Sequence, residues 1–358
     1  MAKVMYTGKM EIGGSGIGST AMHQVGPLYK ERLLHKIYAP SLKAPKDMPT
    51  LNMFMNPILT PHYQTYFEGD VMFDTFTSLQ MQKPDILQTW LNHSYSQLCK
   101  YPDAIKIVNL FSAHPDKQAE LVKLDTSDPI IKLSLKRQRD ELELADYILV
   151  PSQFALESLE ERNLGDKAVV MPFGVDLDKF KPGKKSGDNT FRVIFVGSNW
   201  HRKGGPLLLE AWDKLDLKNS ELIICGTSSD VVGETKDNVK VGWVPDLVET
   251  LQQANVFCLP ALEDGCPLAT HEAMACGIPA IVTESTGTKD YIKEGVNGYI
   301  IEPDSVDEIC SVLQYLKDMH LNDRTMLESK GKAARMLIED WPWKRYEDQY
   351  IEFIKGLI

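Results

Sequence analysis

Short apolar runs alternate with amphipathic stretches along almost the whole chain, and this alternation limits the fold more than any other feature. Runs such as Tyr147 to Val150 and Phe191 to Val196 predict buried strands. Stretches such as Lys117 to Ala145 and Pro206 to Leu215 predict helices. Because repeated strand–helix–strand units are typical of parallel sheets covered by helices, the sequence predicts an α/β protein.

The alternation is interrupted by one polar segment, Phe180 to Asn189, which contains Gly, Pro and several charged residues. Such a segment has little to bury and is typical of a linker between domains. The chain has 358 residues, which is also more than one ordinary core accommodates. We therefore predict two facing Rossmann-like, doubly wound domains, 1–180 and 190–340, that bind ligands at the carboxyl ends of their strands.

Charge and cysteine content indicate which partners and which cellular compartment fit the chain. The formal net charge of −11 argues against nucleic acid as the main partner. None of the six Cys forms a Cys-x-x-Cys pair and no Cys/His cluster has zinc-finger spacing, which fits a reducing cytosol. The sequence shows neither the apolar stretch of a signal peptide nor an apolar run long enough for a transmembrane helix. We therefore expect a cytoplasmic protein without a transmembrane segment.

The segment Leu259 to Pro279 carries the most specific chemical signal. It follows a predicted strand, passes through a loop with Gly and Pro, and enters a helix. Such a loop presents unpaired N–H groups and the positive end of the helix dipole, which suit phosphate and sugar oxygens. Asp264 lies in the loop and Glu272 about one turn into the helix. Both carboxylates are strong acceptors for sugar hydroxyls.

This segment resembles the signature of glycosyltransferase family four, a retaining, nucleotide-sugar-dependent family with the GT-B fold. The resemblance implies an N-terminal acceptor-binding domain and a C-terminal donor-binding domain. It also implies a C-terminal helix, 341–358, that crosses back to the first domain. The positions that match the family signature are Asp264, Glu272, Ala273, Met274, Ala275, Gly277 and Pro279.

The resemblance implies that Glu272 holds the ribose of the donor nucleotide. It further implies that Asp264 and the backbone of Gly265 to Ala269 face the donor sugar and phosphates. Asp264 stands where the family usually has Glu, although the neighbouring Glu263 could substitute for it. Pro267 replaces a residue with a backbone N–H and so removes one donor. These departures leave the identity of the donor sugar open.

A second loop, which contains Gly197 and runs to Gly204, follows the first predicted strand of the second domain. In the family an Arg just after the first Gly and a Lys before the next Gly hold the donor diphosphate. Lys203 matches the Lys, whereas Ser198 stands in the place of the Arg. Arg202 could supply the missing charge. The alternative is a solvated Arg-Lys pair before a helix.

Two further features lie in the first domain. Gly14 and Gly16 belong to a glycine loop that resembles the one beneath the donor phosphates in the family. This loop also partly resembles a dinucleotide fingerprint, but the next strand, ending Ile37 to Pro40, offers no acidic residue for an adenosine ribose. His114 follows a predicted strand, where family members often have a His that faces the reacting sugar. A helix-capping or merely structural His is the alternative.

The residues and the resemblance together predict a retaining, metal-independent glycosyltransferase, of the hexosyltransferase class. Its donor is a UDP- or GDP-sugar and its acceptor is open; no cofactor is expected beyond the donor substrate. The one Asp-x-Asp spacing, Asp176 to Asp178, is interpreted as structural, so no metal site is predicted. The alternatives are a non-catalytic sugar-nucleotide-binding homologue, a GT-B epimerase or phosphorylase, and a dinucleotide oxidoreductase.

The predicted site residues fall into two groups. The predicted catalytic residues are Lys203, Arg202, His114 and Asp264. The predicted donor-binding residues are Gly14, Gly16, Gly197, Ser198, Lys203, Glu263, Asp264, Gly265, Cys266, Pro267, Leu268, Ala269 and Glu272.

Overall fold

The computed structural model describes residues 3–8, 11–12, 17–39, 41–42, 48, 50–52 and 63–358. The chain divides into two compact units, Met1–Phe173 with Lys344–Ile358, and Gly174–Trp343. Each unit is built on a parallel sheet with helices between its strands. The predicted α/β class with two Rossmann-like units is therefore confirmed.

The first unit contains a seven-stranded parallel sheet and a small two-stranded one. Its strands are β1 (Val4–Thr7), β2 (Glu11–Ile12), β3 (Leu34–Ala39), β4 (Ser41–Leu42), β5 (Thr50–Asn52), β6 (Ile86–Trp90), β7 (Ile105–Asn109), β8 (Tyr147–Val150) and β9 (Ala168–Val170). The large sheet has the order β5-β3-β1-β6-β7-β8-β9, and β2 pairs with β4. Its helices are α1 (Ile17–Lys30), α2 (Tyr63–Gln80), α3 (Tyr95–Lys100), α4 (Pro115–Leu121), α5 (Pro129–Leu144) and α6 (Gln153–Glu160).

The prediction of one helix from Lys117 to Ala145 is wrong at its centre, where α4 ends and α5 begins. The side chain of Asp128 accepts hydrogen bonds from the N–H groups of Ile130 and Ile131, and so caps the start of α5. Pro129 occupies the first position of α5, where its missing N–H costs nothing. The residue before a proline also disfavours the helical conformation, so the break is local in origin.

The second unit contains a six-stranded parallel sheet in the order β12-β11-β10-β13-β14-β15. Its strands are β10 (Phe191–Val196), β11 (Ser220–Cys225), β12 (Val239–Gly242), β13 (Val256–Leu259), β14 (Ala280–Thr283) and β15 (Gly298–Ile301). Its helices are α7 (Gly205–Leu215), α8 (Ser229–Val232), α9 (Leu247–Gln253), α10 (Leu268–Ala275), α11 (Val306–Asn322) and α12 (Arg324–Ile338). The central strands are largely apolar because helices cover both faces of the sheet.

The division between the units lies before the predicted linker. Phe180 is buried in the core of the second unit, and the N–H of Val175 donates to the carbonyl of Trp341 at 3.0 Å. The segment that precedes β10 is therefore part of the second unit. The last helix, α13 (Trp343–Gly356), returns the chain to the first unit. There the Nε2 atom of Gln24 donates to the hydroxyl of Tyr346 at 2.7 Å.

Candidate active site

The second sheet has a topological switch point between β10 and β13. From β10 the chain proceeds through β11 to β12 on one side, and it then returns to place β13 on the other side of β10. The two strands are parallel, with Val193 opposite Val256. Because the connections that follow them turn in opposite directions, the loops leave a crevice at the carboxyl ends of the strands. The loop after β10 contains Lys203, and the loop after β13 contains Asp264.

Two glycines shape the loop after β10. A Cβ atom on Gly197 would lie 2.4 Å from the Cδ atom of Lys203, so the lysine side chain runs directly over this glycine. Gly204 has a φ of 71°, and a Cβ atom there would lie 1.8 Å from the carbonyl oxygen of Pro260. Glycine is required at position 204, where the backbone after β13 leaves no room for a Cβ, whereas at position 197 a Cβ would displace the Lys203 side chain. The loop is thereby held against the start of the β13–α10 connection.

Two cations and two carboxylates meet where these loops touch. The Nζ atom of Lys203 lies 2.6 Å from the Oδ2 atom of Asp264. The Nη1 atom of Arg202 donates to the Oε2 atom of Glu263 at 3.0 Å, and Nη2 lies 3.5 Å from Oδ2 of Asp264. Glu263 and Asp264 are both buried. The four side chains form one nearly neutral cluster, which we call the charge cluster.

The pKa values in the charge cluster follow from burial and pairing. Burial alone raises the pKa of Asp264, but the charges of Lys203 and Arg202 outweigh it and hold the pKa below its usual value. Burial lowers the pKa of Arg202, but the nearby carboxylates of Asp264 and Glu263 outweigh this effect and raise the pKa above its usual value. Asp264 and Arg202 are therefore both charged near neutral pH. Ion pairs of this kind are retained in a partly buried site because each charge has a partner.

The cations keep donors that the carboxylates do not use. A lysine ammonium has three N–H donors and a guanidinium has five. Among the described residues Lys203 donates only to Asp264, and Arg202 uses Nη1 on the carboxylate and carbonyl of Glu263. The remaining donors can bind oxygen atoms of an anionic ligand.

The start of α10 adds backbone donors beside the charge cluster. Pro267 is the N-cap residue and offers no side-chain hydrogen bond to the first turn. The first N–H groups of a helix have no partner within it, so those of Leu268 and Ala269 can bind a ligand. Both residues are partly exposed. Asp264 is fixed nearby, since its N–H donates to the carbonyl of Ser285 at 3.2 Å.

Glu272 lies on the same helix. Burial raises the pKa of its carboxyl to about 7, and the charge of Lys179 lowers it only in part. A carboxyl with this pKa changes its charge near neutral pH, and ionisation makes it a stronger acceptor for hydroxyl groups.

The other predicted site residues are divided among different places. Ser198 is exposed in the loop after β10, and Gly265 is buried in the loop after β13. Cys266 is buried beside them, with its Sγ atom 3.8 Å from Nε2 of His271. Gly14 and Gly16 lie outside the described residues.

His114 lies in the first unit, at the N-cap position of α4. Its Nδ1 atom accepts a hydrogen bond from the N–H of Asp116 at 3.2 Å, which is the capping alternative. Burial lowers its pKa to about 4, and the neighbouring Asp116 opposes that change in part. The imidazole is therefore neutral near pH 7, and a role toward a sugar stays a prediction.

Sequence reasoning missed Trp243, which directly follows β12 at the same edge of the second sheet. Its side chain is 80% exposed, the largest exposure among the large hydrophobic residues described. An exposed indole beside a ligand-binding edge is available for stacking on a flat ring. No local sequence pattern indicates this exposure, because it depends on where β12 ends at the edge of the sheet.

Two features are absent from the described part of the chain. No three His, Cys, Asp or Glu side chains are grouped there so that they could hold a metal ion. In the same residue ranges, none of the helices combines the length and apolar character needed to cross a membrane.

Residues 190–318 match the family model described as glycosyl transferases group 1. The match contains the loop after β10, the charge cluster and α10 with Glu272. The similarity to this glycosyltransferase family thus covers most of the second unit. The resemblance based on the segment Leu259 to Pro279 is confirmed for this part of the chain.

A relative in Escherichia coli, UDP-Gal:α-D-GlcNAc-diphosphoundecaprenol α-1,3-galactosyltransferase, is 30% identical over 42% of this chain and 46% of its own length. The chain thus spans about half the length of the curated relatives it matches. Sucrose-phosphate synthase from Thermosynechococcus elongatus superimposes with a TM-score of 0.79 at 17% identity, covering 100% of this chain and 99% of that one.

The Anabaena protein HepE in complex with UDP-glucose superimposes with a TM-score of 0.71 at 14% identity, covering 99% of this chain and 100% of that one. At these identities, the likeness to the two solved structures establishes a shared fold. The predicted GT-B fold class is therefore confirmed.

Proposed function

We propose that this chain is a glycosyltransferase that transfers a sugar from a UDP- or GDP-linked donor to an acceptor, with retention at the anomeric carbon and without a metal ion. The observation that carries the proposal is the charge cluster at the switch point, beside the uncapped start of α10. Three kinds of donor converge there: the ammonium of Lys203, the guanidinium of Arg202 and backbone N–H groups.

Breaking the bond between an anomeric carbon and a diphosphate places negative charge on the leaving group. Fixed donors that stabilise such charge usually contribute the largest catalytic effect. Lys203 and Arg202 meet this requirement, because Asp264 and Glu263 hold them in place while donors remain available. The first N–H groups of α10 extend the same surface.

Arg202 provides a physical account of the missing Arg at position 198. Its guanidinium is fixed by Glu263, whose carboxylate is fully buried. Because the carboxylate of Glu263 is paired with Arg202, Asp264 is the carboxylate that faces the donor sugar in this proposal. In this proposal Glu272 accepts hydrogen bonds from the ribose, and the nucleobase lies toward Trp243.

The E. coli relative named above uses UDP-Gal, and a relative in Corynebacterium glutamicum is named as a GDP-mannose-dependent mannosyltransferase. HepE was solved with UDP-glucose. These names support a nucleotide-sugar donor and leave the base and the sugar to experiment. The acceptor is open for the same reason.

A panel of UDP-, GDP- and ADP-sugars tests the proposal. A bound donor should raise the melting temperature, and incubation should release the nucleoside diphosphate by transfer or slow hydrolysis. Tight binding without release would instead favour a non-catalytic sugar-nucleotide-binding homologue, a function that Ser198 and Pro267 support by departing from the family pattern. No binding to any of the donors would overturn both.

The metal-independent step has its own test. Excess EDTA should leave the rate unchanged, because the proposed charge stabilisation comes from Lys203, Arg202 and backbone N–H groups. Loss of activity in EDTA, with recovery on adding magnesium or manganese, would contradict that part of the proposal.

A further inference from the structure

The second unit has a cavity of about 710 Å³ at the edge opposite the charge cluster. Its walls are the segment that precedes β10, the ends of α9 and α10, and one face of α12. Arg192, Asn255 and Pro279 line it, and they lie at the amino ends of β10, β13 and β14. A volume of this size lies in the range of small-molecule sites, about 300–1,000 Å³.

The cavity is separate from the candidate active site. β10 has six residues, and the charge cluster lies beyond its carboxyl end while the cavity lies at its amino end. At about 3.3 Å per residue the two sites are about 20 Å apart. A ligand in the cavity therefore does not occupy the donor site.

Three cations in the cavity lack a carboxylate partner. Among the described residues no carboxylate oxygen lies within 4.0 Å of the side-chain nitrogens of Lys185, Arg324 or Lys332. Lys185 donates to the carbonyl of Ala254 at 2.8 Å. Within the described ranges Arg324 contacts only neutral groups, including Oδ1 of Asn189 at 2.8 Å. Lys185 and Arg324 are partly buried, and charges in such positions are normally paired, so this arrangement favours an anion in the cavity.

Lys185 shows the electrostatic cost of placing an ammonium group in this wall. Burial lowers the pKa of its ammonium to about 8, and the carboxylate of Glu328 offsets this only in part. Glu328 is exposed and forms no ion pair among the described residues. The other two lining carboxylates are already engaged, Asp188 with Arg192 and Glu339 with Arg335.

One part of the remaining wall of the cavity is apolar. Pro182, Pro279, Leu327 and Met336 line it, and Met336 is 72% exposed. An anion with a compact organic body therefore fits better than a bare ion, because the body covers this wall while the charged group reaches the cations. Lysine and arginine together bind phosphate oxygens well, since each oxygen can accept a charge-assisted hydrogen bond.

We propose that this cavity is a second ligand site, which binds a small phosphorylated metabolite through Lys185, Arg324 and Lys332. The metabolite is a phosphate monoester of the size of a sugar phosphate or a nucleoside monophosphate. The site does not depend on the function proposed for the charge cluster.

Isothermal titration calorimetry of the full chain tests this site with glucose 1-phosphate, AMP, inorganic phosphate and free glucose. A phosphate monoester should bind, and free glucose should not. Lys185→Gln and Lys332→Gln should each weaken binding about tenfold, the effect of losing one hydrogen bond to a charged group. Lys332 is exposed and, within the part of the chain that the structure describes, forms no side-chain hydrogen bond or ion pair, so its variant tests the site without disturbing folding. Whether glucose 1-phosphate or AMP binds more tightly identifies the organic body.

Glu328→Gln should have the opposite effect on ligand affinity. It removes the unpaired carboxylate that faces Lys185, so the same phosphate monoester should bind more tightly. Lys214→Gln, on the exposed face of α7, is the control for a general effect of charge and should change nothing. If binding is lost in Lys203→Met but unchanged in the cavity variants, the probe occupies the donor site and the proposal fails. It also fails if neither phosphate monoester binds at millimolar concentration, or if free glucose binds equally well.

Discussion

Replacing Lys203 by methionine tests the charge cluster most directly, because this cation contacts Asp264 and, in the proposed reaction, the leaving diphosphate. The variant Lys203→Met keeps a chain of similar volume but removes the Nζ atom that lies 2.6 Å from Oδ2 of Asp264. The side chain of Asp264 is only 9% exposed, so its carboxylate stays buried without its nearest cation. Arg202, whose Nη2 lies 3.5 Å from the same oxygen, compensates in part.

This change should lower both the stability of the protein and its rate of turnover. Removing one partner of a buried ion pair costs about 3–5 kcal/mol, and with Arg202 in place we expect the free energy of unfolding to fall by about 2 kcal/mol. In a unit of this size the melting temperature should fall by about 4–8 °C. Losing one fixed donor to the developing charge should raise the barrier to turnover by about 2–4 kcal/mol. That corresponds to a decrease in kcat of about 30-fold to 900-fold.

The double variant Lys203→Met/Asp264→Asn separates the two losses. It removes both charges, so the melting temperature should return most of the way to that of the wild-type protein. Turnover should stay low, because the donor to the diphosphate is still absent. Calorimetry and release of nucleoside diphosphate measure the two effects, and Lys214→Met, on the exposed face of α7, is the matched control. Near-normal turnover in Lys203→Met would refute the role of this lysine, as would recovery of activity together with stability in the double variant.

Three further changes probe the same edge of the sheet. Gly197→Ala should lower donor affinity about tenfold without changing any charge, because its Cβ would displace the Lys203 side chain it meets at 2.4 Å; unchanged affinity for the donor would contradict this reading of the loop. The affinity for UDP-glucose should rise from pH 6 to pH 8, because Glu272, with a pKa of about 7, becomes a carboxylate acceptor over this range. Glu272→Gln should bind UDP-glucose more weakly at pH 8 and show no such rise; titration calorimetry that found the same rise in this variant would contradict the role of Glu272. Trp243→Ala should weaken binding of a free nucleoside diphosphate by about 1–3 kcal/mol, the contribution of one stacked base, whereas Trp243→Phe should retain most of it.

The parts of the fold that could be predicted from sequence are those with a local cause. Buried strands such as Phe191 to Val196 are mostly apolar, since helices cover both faces of a parallel sheet. The segment Leu259 to Pro279 could be identified because its turn residues, helix start and carboxylates are all close in sequence. The break between α4 and α5 also has a local cause, Asp128 followed by Pro129, but the long helical pattern on either side concealed it.

Features that depend on tertiary contacts could not be predicted from the local sequence. Phe180 stands in a polar segment typical of a linker, yet it packs into the core of the second unit. The partners of Arg202 and Lys203 lie 61 positions further along the chain, so no spacing shows which carboxylate each cation contacts. The exposure of Trp243 likewise depends on where β12 ends at the edge of the sheet.

The departures from the family pattern become interpretable once these contacts are known. Ser198 in place of Arg, taken alone, removes a cation from the donor site. Arg202 provides one from the same loop, but a guanidinium there needs an anchor, and the fully buried carboxylate of Glu263 supplies it at 3.0 Å. Asp264 is then the carboxylate that pairs with Lys203. Glu263 and Arg202 should therefore behave as one unit: removing either should cost nearly as much turnover as removing both, because neither side chain has its position without the other.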